Sequence, residues 1–361
     1  ALKKIGKRYA KTAAPVRKAA VLGAGVMGAG IAYQSALSGV PVILKDVSDK
    51  ALEAGLSEAR KLLAKQVEQG RMTAERADAV AGAIAPHLTF VQFNAVDVVI
   101  EAIVENIAIK TAVFREIEAI AGGKTILASN TSSLRIADLA DGLARPQNFI
   151  GMHFFNPVPR MALVEVVRGP KTSEATVATI VGYANTMGKT PIVVGDCPGF
   201  VVNRVLTPYL IAFLLLVRDG VDFRQIDEVM EDFGWPMGPA YLIDVIGLDI
   251  SHHVVEIVSA GFPERMAPPH PSAIDILQAH SRLGQKNGRG FYAYTRDSKG
   301  RPRKDADPAV ATLLAAGQPH GKAPVSDAEI IERMMLPLIF EAARCFEDGV
   351  TGSPGEADMC L

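Results

Sequence analysis

Short, continuous aliphatic runs alternate with helical stretches through the first half of the chain. Runs of this kind are typical of strands that a parallel sheet buries on both faces. Helical stretches lie between the first of these runs. One extends from Val26 to Ser38 and ends at Gly39, and the other extends from Lys50 to Gln69. The predicted strands are Ala19–Leu22, Pro41–Asp46, Asp97–Ala102, Thr125–Ala128, Phe149–Phe154, Leu163–Val167 and Pro191–Val194. This alternation predicts an α/β fold with a doubly wound, mainly parallel sheet.

The pattern changes at Pro198-Gly199, after which helical periodicity dominates from Asn203 to Ala260. The apolar run from Tyr209 to Val217 is too short to span a bilayer and follows Pro208, so we predict a buried helix and no membrane span. An all-helical second domain therefore follows the sheet domain.

The last part of the chain begins with a polar, Pro-containing stretch, Thr295 to Pro308, which is typical of a linker or an exposed loop. A further amphipathic helix is predicted from Ser326 to Gly349, with Ser326 as its cap and Glu329 three residues later. We predict five segments, which are residues 1–17 (the remnant of a linker helix), 18–198 (the sheet domain), 199–294 (the helical domain), 295–325 (a linker) and 326–361 (the start of a second, truncated helical domain).

The composition is that of a globular protein, because 49% of the 361 residues are hydrophobic and the formal net charge is −1. A charge this small gives no reason to expect nucleic acid as a partner. The first acidic residue is Asp46, so the start of the chain is basic, as a transit peptide would be. We favour a solvated helix or linker, because the tip from Lys3 to Arg8 is Lys-rich, lacks Ser and leads directly into a predicted strand.

Cysteine is scarce, with only Cys197, Cys345 and Cys360, and no pair has CxxC spacing. We therefore expect no metal site and no disulfide framework. A reducing compartment, the cytoplasm, fits this composition.

A glycine motif, Gly23-Ala24-Gly25-Val26-Met27-Gly28, lies between the first predicted strand and its helix. Gly23 allows a tight turn, Gly25 lets the backbone approach a pyrophosphate, and Gly28 lets the helix pack closely on the strand. The helix N-terminus offers free N–H groups to the phosphates. The motif alone is weak, but this context predicts a Rossmann-type dinucleotide site rather than a Gly-rich turn.

Asp46 ends the second predicted strand. A carboxylate there accepts hydrogen bonds from the adenosine ribose hydroxyls and repels a 2′-phosphate, and no Arg follows closely. The predicted cofactor is therefore NAD rather than NADP.

Polar residues also follow later strands, where open α/β sheets place their ligands. The run Ser129–Ser133 follows one strand, His153 stands near the end of the next, and Glu165 lies on the strand after that. Removal of hydride from an alcohol carbon needs a base for the hydroxyl proton, and histidine titrates near neutral pH. Although a lone His is more often structural, we predict that His153 is the base and that Glu165 fixes its tautomer.

Lys61 and Lys65 lie one turn apart on the second predicted helix. They are candidates for the phosphates of a bound ligand, and Lys65 is retained as a weak one. A solvated helix face is the simpler interpretation.

Several motifs resemble, in order, those of the 3-hydroxyacyl-CoA dehydrogenase family, and together they cover nearly the whole chain. The motifs are the glycine loop at Gly23, Ser-Asn-Thr-Ser-Ser at Ser129, His-Phe-Phe-Asn-Pro-Val-Pro at His153, Val-Glu-Val-Val at Val164, Asp-Cys-Pro-Gly-Phe-Val-Val-Asn-Arg at Asp196, Asp232–Pro239 and Lys286–Tyr292. The resemblance implies NAD-dependent oxidation of an L-3-hydroxyacyl-CoA in fatty-acid β-oxidation.

The resemblance also implies roles for individual residues. His153 resembles the general base and Glu165 its partner, while Ser132 and Asn203 resemble donors around the reacting oxygen and the thioester carbonyl. Asn156 is similar to the family residue near the nicotinamide. Residues similar to those that line the cofactor are Met27, Ile103, Val104, Glu105 and Lys110. Two alternatives stay open, because Asn203 could cap the helix that begins there and Lys110 could be a solvated helix residue.

A closer likeness is to the dehydrogenase part of the α-subunit of the bacterial fatty-acid oxidation complex. It rests on the basic start, the stretch from Trp235 to Tyr241 and the end Glu-Ala-Asp-Met at Glu356. This likeness implies a preceding hydratase domain, a homodimer, and a thiolase subunit as a partner of the full-length protein. A short-chain 3-hydroxybutyryl-CoA dehydrogenase and a catalytically silent NAD-binding scaffold are the competing interpretations.

Overall fold

The structure is a computed structural model that describes residue 9 and residues 12–296, 300, 302–319 and 324–361. The chain divides into two compact units, one of residues up to 200 together with 349–361, and one of residues 201–348. The basic tip from Lys3 to Arg8 and part of the predicted linker helix lie outside the described residues, and residues 13–18 have no regular secondary structure.

The first unit is built on one eight-stranded sheet with the strand order β3-β2-β1-β4-β5-β6-β7-β8. All neighbours pair in parallel except β6 and β7, which are antiparallel. The strands are β1 (Ala19–Leu22), β2 (Val42–Lys45), β3 (Ile84–His87), β4 (Val98–Glu101), β5 (Ile126–Ser129), β6 (Phe149–Phe154), β7 (Leu163–Arg168) and β8 (Thr190–Gly195). The predicted α/β class with a mainly parallel sheet is confirmed.

Helices cover this sheet and complete a core of aliphatic side chains, in which Val98, Val99 and Ile100 of β4 have no solvent exposure. The helices of this part are α1 (Val26–Leu37), α2 (Asp49–Glu68), α3 (Ala74–Gly82), α4 (Ile107–Ile120), α5 (Ile136–Leu139) and α6 (Glu174–Thr186). The strand order reverses between β1 and β4, and open α/β sheets bind ligands beyond the carboxyl ends of the strands at such a point.

Strand β3 was not predicted. Its sequence, Ile-Ala-Pro-His, contains Pro86, which lacks an N–H donor and makes the segment look like a turn. Proline is tolerated on an edge strand, and β3 is the edge of this sheet, paired only with β2 among the described strands.

The second unit is mainly helical. Its helices are α7 (Val202–Arg218), α8 (Phe223–Phe233), α9 (Pro239–Ile246), α10 (Leu248–Gly261), α11 (Ala273–Ala279), α12 (Pro308–Ala315) and α13 (Asp327–Glu347). The apolar run from Tyr209 to Val217 lies inside α7 and is buried almost throughout, as predicted. In the part of the chain that the structure describes, no helix is both long enough and apolar enough to cross a membrane.

The stretch that resembles a linker contains a two-stranded antiparallel hairpin, β9 (Ala293–Arg296) with β10 (Pro302–Asp305), and then α12. Ser326 caps α13 by accepting a hydrogen bond from the Glu329 N–H at 3.3 Å, as its sequence predicts. Helix α13 packs against α7 within the same unit. The following residues belong to the first unit and include helix α14 (Pro354–Cys360), and the Gly195 N–H of β8 donates to the Val350 carbonyl at 2.8 Å.

Two buried aspartates tie the second unit together. Asp227 on α8 accepts hydrogen bonds from the N–H groups of Ala240 and Tyr241 at 2.7 and 3.1 Å and from the Tyr292 hydroxyl at 2.8 Å. Asp244 on α9 is similarly bonded. Burial raises the pKa of Asp227 to about 6, although the Tyr292 hydroxyl and the Ala240 N–H act in the opposite direction.

This raised pKa predicts a specific pH dependence of stability. A carboxyl that binds protons more tightly in the folded chain stabilises it below the ordinary carboxyl pKa, and the contribution is lost as the pH rises through about 6. The free energy of unfolding of the wild type, minus that of an Asp227→Asn variant, should therefore fall between pH 4 and pH 7. Urea denaturation at several pH values measures this difference, and a difference independent of pH would contradict the assignment.

Candidate active site

The glycine loop joins β1 to α1, and two of its three glycines stand where a Cβ would overlap the backbone. Gly23 has φ +90°, and a Cβ built on it would lie 2.5 Å from the Ala102 carbonyl oxygen. A Cβ on Gly28 would lie 1.7 Å from the Gly23 carbonyl oxygen, so α1 packs directly on the turn. A Cβ on Gly25 meets nothing within 4 Å. The loop therefore has one open position, at the helix N-terminus, where a phosphate can approach the backbone.

Asp46 follows β2 and lies beside this loop. One carboxylate oxygen accepts the Ala24 N–H at 2.7 Å, and the other accepts the Ser48 N–H at 3.0 Å. Each oxygen has a further lone pair with which to accept a ribose hydroxyl. Asp46 thus fixes the shape of the glycine loop, a structural task that its sequence position alone did not reveal.

His153 and Glu165 stand directly opposite each other on the antiparallel strands β6 and β7. The His153 Nδ1 and a Glu165 carboxylate oxygen are 2.8 Å apart, and the two residues are 3% and 0% exposed. A carboxylate only accepts hydrogen bonds, so Nδ1 carries a proton, and in the neutral imidazole Nε2 is then the nitrogen with the lone pair. The predicted pair is therefore in contact, held by the register of two buried strands.

Aromatic rings border the imidazole. The ring centroid of Phe155 is 4.4 Å from that of His153, and the ring centroid of Phe200 is 5.8 Å away. Phe200 has φ 52° and no solvent exposure. A left-handed conformation is uncommon for an aromatic residue, and such strain is found where the surrounding structure overrides local preference.

Glu105 holds the loop that follows β5. One of its carboxylate oxygens accepts the Ser132 N–H at 3.0 Å and the hydroxyls of Thr131 and Ser133 at 2.5 and 3.1 Å. Burial alone would raise the pKa of Glu105, but the Lys110 ammonium and the Thr131 hydroxyl outweigh it, and the pKa is lowered. Glu105 is thus an ionised anchor for the backbone of Ser132.

Lys110 is not a solvated helix residue, and that interpretation was wrong. It is 1% exposed, and its ammonium lies 2.6 Å from Glu101 and 3.1 Å from Glu105. Glu101, at the end of β4, has no solvent exposure and also accepts the Ser129 hydroxyl at 2.6 Å. Glu101 was not among the predicted site residues, although an acidic residue directly after the apolar run Val98–Ile100 is a signal in the sequence.

A cavity of about 700 Å³ lies beside the glycine loop, between α1, α2 and the connection from β6 to β7. Asn156 and Val158 lie on its wall, together with Tyr33 of α1. Ile103 follows β4 next to Gly23, and a Cβ on Gly23 would lie 3.3 Å from its nitrogen. The structure thus brings Gly23, Gly25, Met27, Gly28, Asp46, Ile103, Val104, Glu105, Lys110, Ser132, His153, Asn156 and Glu165 into one unit.

The connection from β6 to β7 is anchored by a lysine that sequence analysis missed. The Lys189 ammonium donates to the carbonyl oxygens of Val158 and Met161, the latter at 2.9 Å, and the residue is 7% exposed. Burial lowers its pKa. Because this connection joins the strand of His153 to that of Glu165, Lys189 supports both the β6–β7 hairpin and the cavity wall.

Two predicted site residues lie elsewhere. Lys65 is exposed on α2, in agreement with a solvated helix face, and its neighbour Lys61 lies 3.7 Å from Glu58. Asn203 belongs to the second unit, in the first turn of α7. Val201, not Asn203, occupies the N-cap of α7, so the capping interpretation was wrong.

Over the ranges that the structure describes, no three His, Cys, Asp or Glu side chains are placed to hold a metal ion. The Rossmann loop and Asp46 instead fit a dinucleotide.

Two family models match the chain, one after the other. The NAD binding domain of 3-hydroxyacyl-CoA dehydrogenase matches residues 18–197, and the C-terminal domain of 3-hydroxyacyl-CoA dehydrogenase matches residues 199–294. The chain belongs to the 3-hydroxyacyl-CoA dehydrogenase family. It is therefore an NAD-binding enzyme of this family, and membership implies an acyl-CoA substrate.

Solved structures of other proteins are similar to this chain. The (S)-3-hydroxybutyryl-CoA dehydrogenase of Ralstonia eutropha is 38% identical, with 78% of this chain and 100% of that chain covered and a TM-score of 0.73. The 3-hydroxybutyryl-CoA dehydrogenase of Escherichia coli is 29% identical, with 94% and 87% covered and a TM-score of 0.81. The dehydrogenase part of multifunctional enzyme 1 of C. elegans is 27% identical, with 96% and 78% covered and a TM-score of 0.64.

The two environments of Gly25 and Gly28 predict opposite outcomes for the same substitution. Gly28→Ala should lower the free energy of unfolding by about 1–3 kcal/mol or more, because its methyl group overlaps the Gly23 carbonyl. Gly25→Ala should leave stability unchanged but weaken NADH binding, because its methyl group occupies the space into which a pyrophosphate must come. Denaturant titration and NADH fluorescence titration separate the two effects, and unchanged NADH affinity in Gly25→Ala would contradict the placement of the phosphates.

Proposed function

We propose that this chain oxidises L-3-hydroxyacyl-CoA to 3-ketoacyl-CoA with NAD, as a step of fatty-acid β-oxidation. The observation that carries the proposal is the buried pair of His153 and Glu165, with an Nδ1–oxygen distance of 2.8 Å. The matched NAD-binding domain supports the cofactor, and the family supports the CoA ester.

His153 is proposed as the general base. Glu165 accepts the Nδ1–H, which leaves the Nε2 lone pair to take the proton of the substrate hydroxyl. When bound, NAD supplies the acceptor for the hydride that leaves C3. In the reverse direction the imidazolium returns its proton to the developing alkoxide, and the ionised Glu165 stabilises that imidazolium.

Ser132 and Asn203 are proposed as donors toward the reacting oxygen and the thioester carbonyl, where partial negative charge develops. Glu105 supports this role for Ser132, because it fixes the backbone of that residue. Gly23, Gly25, Met27, Gly28, Asp46, Ile103, Val104 and Asn156 are proposed to hold NAD. Lys110 and Glu105 would then serve this site through their buried ion pair. Lys65 is proposed only as a peripheral contact for CoA phosphates.

The domain roles, the partners and the acyl-chain length are proposed from the resemblance to related proteins. Residues 18–198 are proposed as the NAD domain and 199–294 as the domain for the acyl chain and for homodimer contacts. The likeness to the dehydrogenase part of multifunctional enzyme 1 supports a place within a larger, multifunctional protein. A cytoplasmic location, a role in β-oxidation and a thiolase partner are proposed from the sequence resemblance alone. The 3-hydroxybutyryl-CoA dehydrogenases favour a second candidate, the same chemistry on short acyl chains.

The first test is the loss of NADH absorbance when acetoacetyl-CoA is added. We expect rapid loss with NADH and the CoA ester, and little with NADPH or with free acetoacetate, because Asp46 disfavours a 2′-phosphate. Repetition with longer 3-ketoacyl-CoA esters distinguishes the two candidates. NADH binding without turnover of any ester would refute the proposal and leave a cofactor-binding scaffold.

The roles of the histidine pair predict graded losses. His153→Ala should lower kcat by about 10²–10⁴-fold, the usual contribution of a general base. Glu165→Gln should lower kcat less, because an amide still positions the ring but does not stabilise the imidazolium. The exposed positions His253→Ala and Glu116→Gln are matched controls. Wild-type turnover by His153→Ala, with NADH binding intact, would remove His153 from the mechanism.

A further inference from the structure

Polar groups stand along the carboxyl edge of the sheet in the order of its strands. Asp46 follows β2, Gly25 follows β1, Glu101 ends β4, Ser129 ends β5 and His153 lies near the end of β6. With its adenosine ribose at Asp46 and its pyrophosphate at Gly25, NAD must extend across β4 and β5 to bring its nicotinamide ring near His153. The groups at the ends of β4 and β5 therefore lie beside the nicotinamide half of the cofactor.

Glu101 is the centre of a buried network at this place. It has no solvent exposure, and one carboxylate oxygen accepts the Ile103 N–H at 2.8 Å and the Lys110 ammonium at 2.6 Å. The other oxygen accepts the Ser129 hydroxyl at 2.6 Å. Glu101 is also the register partner of Leu22, the last residue of β1 before the glycine loop. It thus joins the turn after β4 to the end of β5, and all of its partners belong to the first unit.

This network contains more negative than positive charge. The Lys110 ammonium lies 2.6 Å from Glu101 and 3.1 Å from Glu105, so one cation faces two carboxylates. Glu105 is ionised at neutral pH, since its pKa is lowered against the effect of burial. Among the described residues, no other Lys or Arg lies within ion-pair distance of either carboxylate. The network therefore has a net charge of one negative unit, which a protein interior retains only at a cost unless a cation balances it.

We propose that Glu101 makes this site prefer NAD+ over NADH. The nicotinamide ring is positively charged in NAD+ and becomes neutral when it accepts the hydride from C3. A fixed negative charge beside the ring stabilises only the charged form. The inference rests on the proposed function, in which the nicotinamide half crosses β4 and β5. It gives Glu101 a part in the choice between the two redox forms of the cofactor, in addition to its hydrogen bonds.

The test compares the dissociation constants of NAD+ and NADH for the wild type and for Glu101→Gln. The amide retains an oxygen for the Ile103 N–H and the Lys110 ammonium, and its nitrogen can donate to the Ser129 oxygen, so the charge is removed with little change of shape. The Kd of NAD+ should rise about tenfold more than that of NADH, because one elementary charge is lost in a partly polar interior. Calorimetric titration with NAD+ and fluorescence titration with NADH measure both constants without turnover.

Ser129→Ala is the matched control within the same network. It removes one hydrogen bond of Glu101 and leaves the charge, so it should change both dissociation constants by the same factor. If Glu101→Gln does not fold, Glu105→Gln removes the other carboxylate. That variant should shift the ratio of the two constants in the same direction, whatever its effect on each of them.

Two results would overturn the inference. One is an unchanged ratio of the two dissociation constants after loss of a carboxylate, and the other is an equal shift of that ratio in Ser129→Ala, which would assign the effect to hydrogen bonding. A wild type that binds both cofactor forms but turns over no CoA ester would instead refute the proposed function. In that case the ratio would still decide whether Glu101 selects the oxidised form.

Discussion

The polar site at the end of the sheet depends on two carboxylates without any solvent exposure, Glu101 and Glu165. An ionised carboxylate is retained in a protein interior only when it is paired and hydrogen-bonded. Glu101 meets this demand with Lys110 and the Ser129 hydroxyl, and Glu165 meets it with His153. Because each buried carboxylate needs a hydrogen-bond donor, Glu165 fixes the proton on Nδ1 of His153, and Glu101 holds the Lys110 ammonium in the interior. The remaining polar groups of the site, Glu105 and the backbone of Ser132, follow from these pairs because Lys110 links Glu101 to Glu105.

Much of the fold was predictable because burial on both faces leaves a direct trace in the sequence. Strand β1 is an uninterrupted aliphatic run, and β4 and β6 are mainly apolar, with Glu101 at the end of β4 and His153 near the end of β6. The helices between them end near glycine or begin at capping residues. The misses also have physical causes. Strand β3 contains proline, which only an edge strand tolerates. The hairpin of β9 and β10 is short and mostly polar, so it lacks the apolar pattern by which a strand is recognised in sequence.

The parts of the candidate site that could be predicted are those in which the residue type follows from local geometry or from the chemistry of the reaction. The glycine loop is one such place, since the Gly23 and Gly28 positions exclude a Cβ and the Gly25 position does not. His153 and Glu165 were predicted as a pair because hydride removal needs a base and Glu165 lies on the next strand along the chain, and the register of β6 and β7 places the two in contact. Lys189 was missed because burial of a cation is a property of tertiary structure. Lys110 was predicted to line the cofactor, and only the alternative of a solvated position is wrong. The partners of Lys189 are the carbonyl oxygens of Val158 and Met161, which lie 31 and 28 residues away, and no local pattern encodes such distances.

Asp46 binds the glycine loop through the Ala24 N–H and binds the turn after β2 through the Ser48 N–H. The loop is thus organised before any nucleotide arrives, and little conformational entropy remains to be lost on association. The double role of Asp46 also restricts any redesign of the coenzyme preference. Replacement of Asp46 by a residue that binds a 2′-phosphate would also remove both hydrogen bonds. A change of coenzyme preference would therefore require further substitutions that stabilise the loop. Coenzyme preference and the conformation of the glycine loop therefore depend on the same side chain, and we expect them to change together.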